Sequence, residues 1–249
     1  MTDSLRIVLV GTQHPGNIGS AARAMKTMGL GRLMLVAPQR FPDRDAYALA
    51  AGANDLLDVA EIHPSLASAV ADCHLVIAST ARHRTVPMPE LTPREGAQRL
   101  LAAQQTGEVA LVFGRERTGL ENEELQLCHA AITIPANPDY SSLNLAAAVQ
   151  VLAYELLVAR LERAPVAEAA PAPVDADDLP AAHGEMESFF AHLGTLLDDI
   201  DFHKGKAPDM VTQRLRRLFL RAQPDPRELR ILRGIFSDTQ RLLRTRNKP

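Results

Sequence analysis

A chain of 249 residues with 46% hydrophobic content can form one large domain or two ordinary ones and can bury a real core. It has no run of about eighteen apolar residues, which excludes a membrane-spanning helix, and its first residues lack the charged and apolar regions of a secretory leader. The only two cysteines, Cys73 and Cys128, lie inside apolar segments; they read as reduced core thiols of a cytoplasmic protein and exclude a disulfide-stapled fold. The net charge of −3 is unevenly spread: from Lys204 to the end there are 13 Lys/Arg against four Asp/Glu, a surplus of nine, so the remainder carries −12. Such asymmetry points either to a basic tail for a polyanion or to a solvated helical face.

In chain order, Ile7–Val10 is a short apolar run ended by Gly11 and predicts a buried strand. The loop from Gly11 to Asn17 leads into a helix over about Ile18–Met28, with Gly29 as its C-terminal stop. Strands are expected at Leu33–Val36, Leu56–Ala60, His74–Ala78, Val109–Phe113 and Ala131–Ile134. Helices are expected at Ala46–Ala51, Ser65–Ala71, Arg94–Gln104, Asn122–Cys128 and Leu143–Arg160. Short apolar strands alternating with helices imply an α/β fold, a mostly parallel sheet covered on both faces. Ligands in such sheets sit beyond the carboxyl ends of the strands. Four polar loops fall there: Gly11–Asn17, Ser79–Arg84, Gly114–Leu120 and Pro135–Ser142. In the last of these, Ser141 and Ser142 occupy the expected N-cap of the long helix. The stretch suits a small polar ligand, but taken by itself it reads first as an ordinary capped helix after a loop.

Residues 163–182 are Ala/Pro-rich without apolar periodicity and read as an extended linker between a domain at 1–162 and one at 183–249. Beyond the linker, Met186, Phe189, Phe190, Leu193, Leu197 and Ile200 recur at helical spacing, as do Val211, Leu215, Leu218 and Phe219. Asp225-Pro226-Arg227-Glu228 has the pattern of a helix start with reciprocal capping. The result is a small all-α module, with Arg214, Arg217 and Arg221 along one side of its second helix.

Gly11 and Gly16 open a helix after a strand, but Asn17 and Ile18 stand where a P-loop needs Lys and Ser/Thr. The glycine spacing does not make a dinucleotide fingerprint either. The eight histidines form no HExxH and the cysteines no CxxC, so no metal site is expected, and no GxSxG nucleophile elbow occurs. Arg23 on the first helix is either a surface ion-pair partner or a phosphate anchor.

Three segments taken together resemble, in order, the three motifs of the SpoU branch of SPOUT methyltransferases. They are His14-Pro15-Gly16-Asn17-Ile18-Gly19-Ser20-Ala21-Ala22-Arg23-Ala24-Met25, Leu111-Val112-Phe113-Gly114-Arg115-Glu116-Arg117-Thr118-Gly119-Leu120, and Ile134-Pro135-Ala136-Asn137-Pro138-Asp139-Tyr140-Ser141-Ser142-Leu143-Asn144-Leu145. The match covers about the first 160 residues. The linker and basic tail further resemble those of a bacterial tRNA ribose methyltransferase that acts on nucleotide 32, cytidine or uridine, of the anticodon loop. The resemblance implies a trefoil knot in the C-terminal part of the α/β domain, a homodimer, and S-adenosylmethionine as cofactor. By the same likeness the cofactor meets Ser79, Thr80, Ala81, Gly114, Ile134, Ser141, Ser142 and Leu143. Arg23 has the central catalytic role, with Asn17, Glu116, Ser142 and Asn144 around it. Arg82, Arg84 and Arg115 beside these loops, with Arg214, Arg217 and Arg221 in the tail, are the candidate RNA contacts. A guanidinium normally stays protonated, so the expected role of Arg23 is an electrostatic anchor rather than a base. Two alternatives stay open: ribosomal RNA as the methylated substrate, and a non-catalytic RNA-binding factor.

Overall fold

The computed structural model describes residues 4–81, 88–163, 179–204 and 208–246. Its contacts divide the chain into two units, Met1–Ala170 and Pro171–Pro249. In the first, the elements run β1 (Leu5–Val10), α1 (Pro15–Thr27), β2 (Arg32–Val36), α2 (Arg44–Ala50), α3 (Asn54–Asp58), β3 (Glu61–His63), α4 (Leu66–Ala69), β4 (Leu75–Thr80), β5 (Glu90–Leu91), α5 (Pro93–Ala103), β6 (Val109–Phe113), α6 (Asn122–Leu125), β7 (Ala130–Thr133) and α7 (Leu145–Glu162). The strands form one sheet in the order β3-β2-β1-β6-β4-β7-β5, and the neighbouring strands pair in parallel.

Alternation along the strands builds two cores. Leu5, Ile7, Leu9, Leu75, Ile77, Leu111 and Phe113 face one side and pack with apolar residues of α1, α2, α3, α5 and α7. Val8, Val10, Val76, Ala78, Ala110 and Val112 face the other, under Leu66 and Ala69 of α4 and Leu125 of α6. Central strands buried on both faces explain the continuous apolar runs in the sequence. Cys73 and Cys128 are buried, and burial pushes both thiols up to about 12, so they remain protonated core residues.

One expected strand is a helix. Ala53, Leu56 and Leu57 all face the first core, and Leu56 and Leu57 are adjacent. A strand would send them to opposite faces, whereas a helical turn keeps both on one. The strand β3 begins after this turn, at Glu61. The first helix also starts earlier than the apolar pattern indicates, at Pro15. Proline at the first helical position gives up a donor that has no partner there anyway.

The second unit contains α8 (His183–Asp199), α9 (Pro208–Ala222) and α10 (Pro226–Arg246). Met186, Phe189, Phe190, Leu196, Leu220, Leu229 and Phe236 form its core. Phe189 packs edge-on against Phe219 at 4.7 Å between centroids. The start of α10 is capped as its sequence predicts: Glu228 N donates to Asp225 Oδ1 at 2.7 Å, and Asp225 N donates to Glu228 Oε2 at 3.0 Å. Leu218, expected inside, is 47% exposed, and Leu220 is buried instead. Among the described residues no helix is long and apolar enough to cross a membrane.

Candidate functional site

Strands β6, β4 and β7 are neighbours, and their register sets Ser79 beside both Phe113 and Ile132. The loops that follow these strands therefore emerge side by side at the carboxyl edge of the sheet. They wall a cavity whose lining includes Ser79, Thr80, Ala81, Gly114, Ile134, Ser141, Ser142 and Leu143. These are all eight positions that the motif resemblance assigns to the cofactor. Phe113, Leu120, Leu125, Leu145 and Ala148 add an apolar floor and wall. Nothing in the local sequence marks these five as lining rather than ordinary core.

The loop after β6 is held by its own backbone. Arg115 N donates to Gly119 O at 3.1 Å and Gly119 N to Arg115 O at 2.9 Å. The turn folds so tightly over Gly114 that a Cβ there would lie 2.2 Å from the carbonyl carbon of Gly119, closer than any side chain allows. The guanidinium of Arg115 makes paired bonds to Glu124, with Nη1 at 2.9 Å and Nη2 at 3.0 Å. These bonds raise its pKa above the ordinary value. The same side chain lies over Gly11, whose φ is +59° and where a Cβ would meet Arg115 Nε at 2.7 Å. Arg115, expected among the RNA contacts, is thus engaged within the loop and would have to leave Glu124 to reach a phosphate. Arg117, two residues on, is exposed at the cavity, and among the described residues its side chain has no hydrogen-bond or ion-pair partner. The motif reading did not single it out, and no local signal separates it from Arg115; the distinction comes from Glu124, which engages Arg115 alone of the two.

Glu116 joins the three motif segments. Its carboxylate accepts from Gln13 N at 3.0 Å, His14 N at 3.1 Å and Asn17 Nδ2 at 2.9 Å. Asn17 Oδ1 accepts from Asn144 Nδ2 at 3.0 Å. Asn144 Oδ1 accepts from Ala146 N at 2.9 Å and Ala147 N at 3.4 Å. The amide orientations are mutually required: an ionised carboxylate only accepts, so each amide must turn its NH2 toward the preceding group. Partial burial pushes the Glu116 carboxyl up, but the bonds from Asn17, Gln13 and His14 outweigh it, and its pKa lies below the ordinary value. A carboxylate held ionised in this way is a poor proton acceptor and a good clamp.

This arrangement also corrects the expected cap. Asn144, not Ser141 or Ser142, is the N-cap of α7, because its side chain reaches the first free amides of the helix while those serines face the cavity. Four of the five residues expected to act in catalysis are thereby gathered: Asn17, Glu116 and Asn144 in one hydrogen-bonded chain, and Ser142 at the adjoining cavity. Arg23 is not among the cavity-lining residues. It is exposed, six residues beyond Asn17, about 9 Å farther along α1, and its side chain has no partner among the described residues. Arg82 and Arg84 lie outside the described residues. In the second unit Arg214 and Arg221 are exposed, while Arg217 is half-buried and donates from Nε to Gln213 O at 3.4 Å. Among the described residues no three His, Cys, Asp or Glu side chains are placed to hold a metal ion.

The profile of the SpoU rRNA methylase family matches residues 4–154, and that of the tRNA methyltransferase TrmJ C-terminal domain matches residues 184–248. The curated tRNA (cytidine/uridine-2′-O-)-methyltransferase TrmJ of Pectobacterium atrosepticum is 50% identical over 245 residues, spanning 97% of this chain and 98% of that protein. The crystal structure of TrmJ from Z. mobilis superposes with a TM-score of 0.79 at 37% identity, over 94% of this chain and 97% of that one. A probable methylase family protein from Haemophilus influenzae gives a TM-score of 0.64 at 42% identity, over 99% and 100% of the two chains. With its parallel sheet, its strand-end cavity and its basic helical unit, the chain belongs to the SpoU rRNA methylase family.

Proposed function

We propose that this protein transfers a methyl group from S-adenosylmethionine to the ribose 2′-hydroxyl of nucleotide 32, cytidine or uridine, in the anticodon loop of tRNA. The observation that carries the reading is the cavity at the ends of β4, β6 and β7, tied by Glu116 and Asn17 to Asn144. Its lining suits the cofactor chemically: Ile134, Leu143 and Leu120 offer apolar surface for an adenine ring, and Ser79, Thr80, Ser141 and Ser142 offer hydroxyls for ribose and amino-acid groups. The cofactor supplies a methyl group already activated on a sulfonium. The protein's part is then to hold the accepting hydroxyl in line and to stabilise the charge it develops. Ser142 and Asn144 flank that position, and Arg23 anchors a phosphate of the RNA.

Arg23 stands outside the cavity of its own chain, so it meets the reaction through the bound RNA or through a second copy. We infer a homodimer that uses α1 and α7, which pack on each other and whose outer faces leave Tyr154 and Leu161 of α7 exposed. The strand order, with β6 entering between β1 and β4 and β7 between β4 and β5, is compatible with a threaded C-terminal segment. The division of labour follows the sequence boundaries: catalysis in residues 1–162 and RNA binding in residues 183–249, joined by 163–182. A second reading, ribosomal RNA as substrate, draws on the description of the family profile; the tail profile favours tRNA.

Incubation with methyl-labelled S-adenosylmethionine and either tRNA or ribosomal RNA tests the substrate class. Label is expected in tRNA; label confined to ribosomal RNA would replace this reading by the second. The tail is tested in the full chain with Arg214→Gln combined with Arg221→Gln. Each lost phosphate contact should lower the slope of log affinity against log salt by about one, so the pair should lower it by about two while cofactor binding stays unchanged. An unaltered slope removes these two residues from the RNA surface.

A further inference from the structure

The loop between β7 and α7 carries a residue that neither the cavity nor the carboxylate–amide chain uses. Tyr140 is 82% exposed, the highest value among the exposed large hydrophobic side chains. Its hydroxyl and ring have no partner among the described residues. The backbone beneath it is nevertheless fixed. Asp139 N donates to Asn137 Oδ1 at 3.1 Å, Tyr140 N donates to Asn137 O at 2.9 Å, and Pro135 and Pro138 restrict φ in the segment that leads up to it. The very next residues, Ser141, Ser142 and Leu143, line the cavity, and Asn144 is bonded to Asn17. A ring this exposed, on a hydrogen-bonded turn that leads directly into cavity-lining residues, is available to a ligand at the cavity mouth. The other two tyrosines of the chain are placed differently: Tyr47 donates to Asp58 at 2.9 Å, and Tyr154 lies within α7.

We propose that Tyr140 stacks on the base of the nucleotide whose ribose is methylated, and so positions its 2′-hydroxyl at the cavity. This rests on the reading that the substrate is a nucleotide of a tRNA loop. Loop nucleotides can splay their bases out of the helix, and such bases are held by aromatic side chains rather than by groove contacts. Tyrosine suits the task because its ring loses little conformational freedom on contact. It recognises a flat ring without choosing among hydrogen-bonding edges, which fits a site that accepts either pyrimidine. A base held against Tyr140 would place its own ribose within the loop segment that carries Ser142 and Asn144, two and four residues on. Tyr140 is therefore a positioning residue for the substrate, separate from the groups that hold the cofactor.

The test is a coupling experiment with the full chain and full-length tRNA assembled by ligation. One tRNA carries the normal pyrimidine at the nucleotide that the wild-type protein methylates; the other carries an abasic ribose there. On the normal tRNA, Tyr140→Ala should lower kcat/KM by about tenfold or more, and Tyr140→Phe, which keeps the ring, should restore most of that loss. On the abasic tRNA, wild type and Tyr140→Ala should be equal, because no base is left to stack. An equal loss on both tRNAs, or weakened cofactor binding or altered oligomeric state in Tyr140→Ala, overturns the proposal and assigns the residue to the pocket or to a subunit contact. If the wild-type protein methylates no tRNA ribose at all, the reading of the substrate fails, and this proposal with it. Transfer without coupling to the base sinks only the role of Tyr140.

Discussion

Replacing Arg23 with lysine is expected to lower turnover by roughly two to three orders of magnitude while S-adenosylmethionine binding is retained. The expectation follows from what the side chain is free to do. Arg23 is exposed on α1 and has no partner among the described residues, so the fold does not consume its charge. A guanidinium offers a planar pair of donors that matches a phosphate or a developing alkoxide on two atoms at once, and lysine keeps the charge without the fork. Because arginine remains protonated, its contribution is positional and electrostatic rather than that of a base. The cavity itself is lined by other residues, which is why cofactor affinity should survive. Isothermal titration with the cofactor, alongside single-turnover methyl transfer, separates the two effects. Lysine supporting near-wild-type turnover would leave charge alone as the requirement and remove the anchoring role.

Glu116→Gln is the second large effect. Glutamine is close in shape, but its single acceptor oxygen cannot serve Gln13 N, His14 N and Asn17 Nδ2 together, and its NH2 group would confront donors. The chain through Asn17 to Asn144 then loses its fixed polarity, and with it the register between the start of α1 and the cap of α7. Donors left without acceptors make such losses larger than the value of one bond, so cofactor affinity should fall on the order of tenfold and turnover further. The pH dependence has a definite sign. The folded carboxyl titrates below its ordinary value, so its contribution to stability is complete above about pH 4.3 and is lost as pH falls through the folded-state pKa. Denaturant melts of the wild type and Glu116→Gln between pH 3 and 7 should diverge least at the acid end. A constant difference across that range would contradict an ionised clamp.

Local signals in the chain account for most of the first unit. Val109–Phe113 reads as a strand because it is apolar on both faces, and the polar loops at strand ends mark the edge where the cavity lies; which of their residues would meet a cofactor is implied only by the likeness of the three motifs, since Ile134 and Leu143 carry no polar signal. Asp225 and Glu228 announce their helix because reciprocal capping is a matter of three residues. What was illegible depends on distant partners. Leu56 and Leu57 fit a strand until α1 and the sheet fix which side is inward. The entry of β6 between β1 and β4 is a choice among strand orders that no periodicity encodes. The sequence offers the serines as the cap of α7, yet Asn144 is the cap, because the cap is decided by which side chain reaches Ala146 N, a distance absent from the sequence. Arg115 and Arg117 are the same residue type two positions apart, and only the folded loop shows that Glu124 takes the first.

The most direct measurement is the site of methylation. Full-length protein, unmodified tRNA and S-adenosylmethionine are incubated, and nuclease fragments are analysed by mass spectrometry. One added methyl is expected on the ribose of the pyrimidine at nucleotide 32, formed roughly two to three orders of magnitude more slowly when Arg23→Lys replaces the wild type. Methylation on a base, at a ribose outside the anticodon loop, or of ribosomal RNA alone would contradict it.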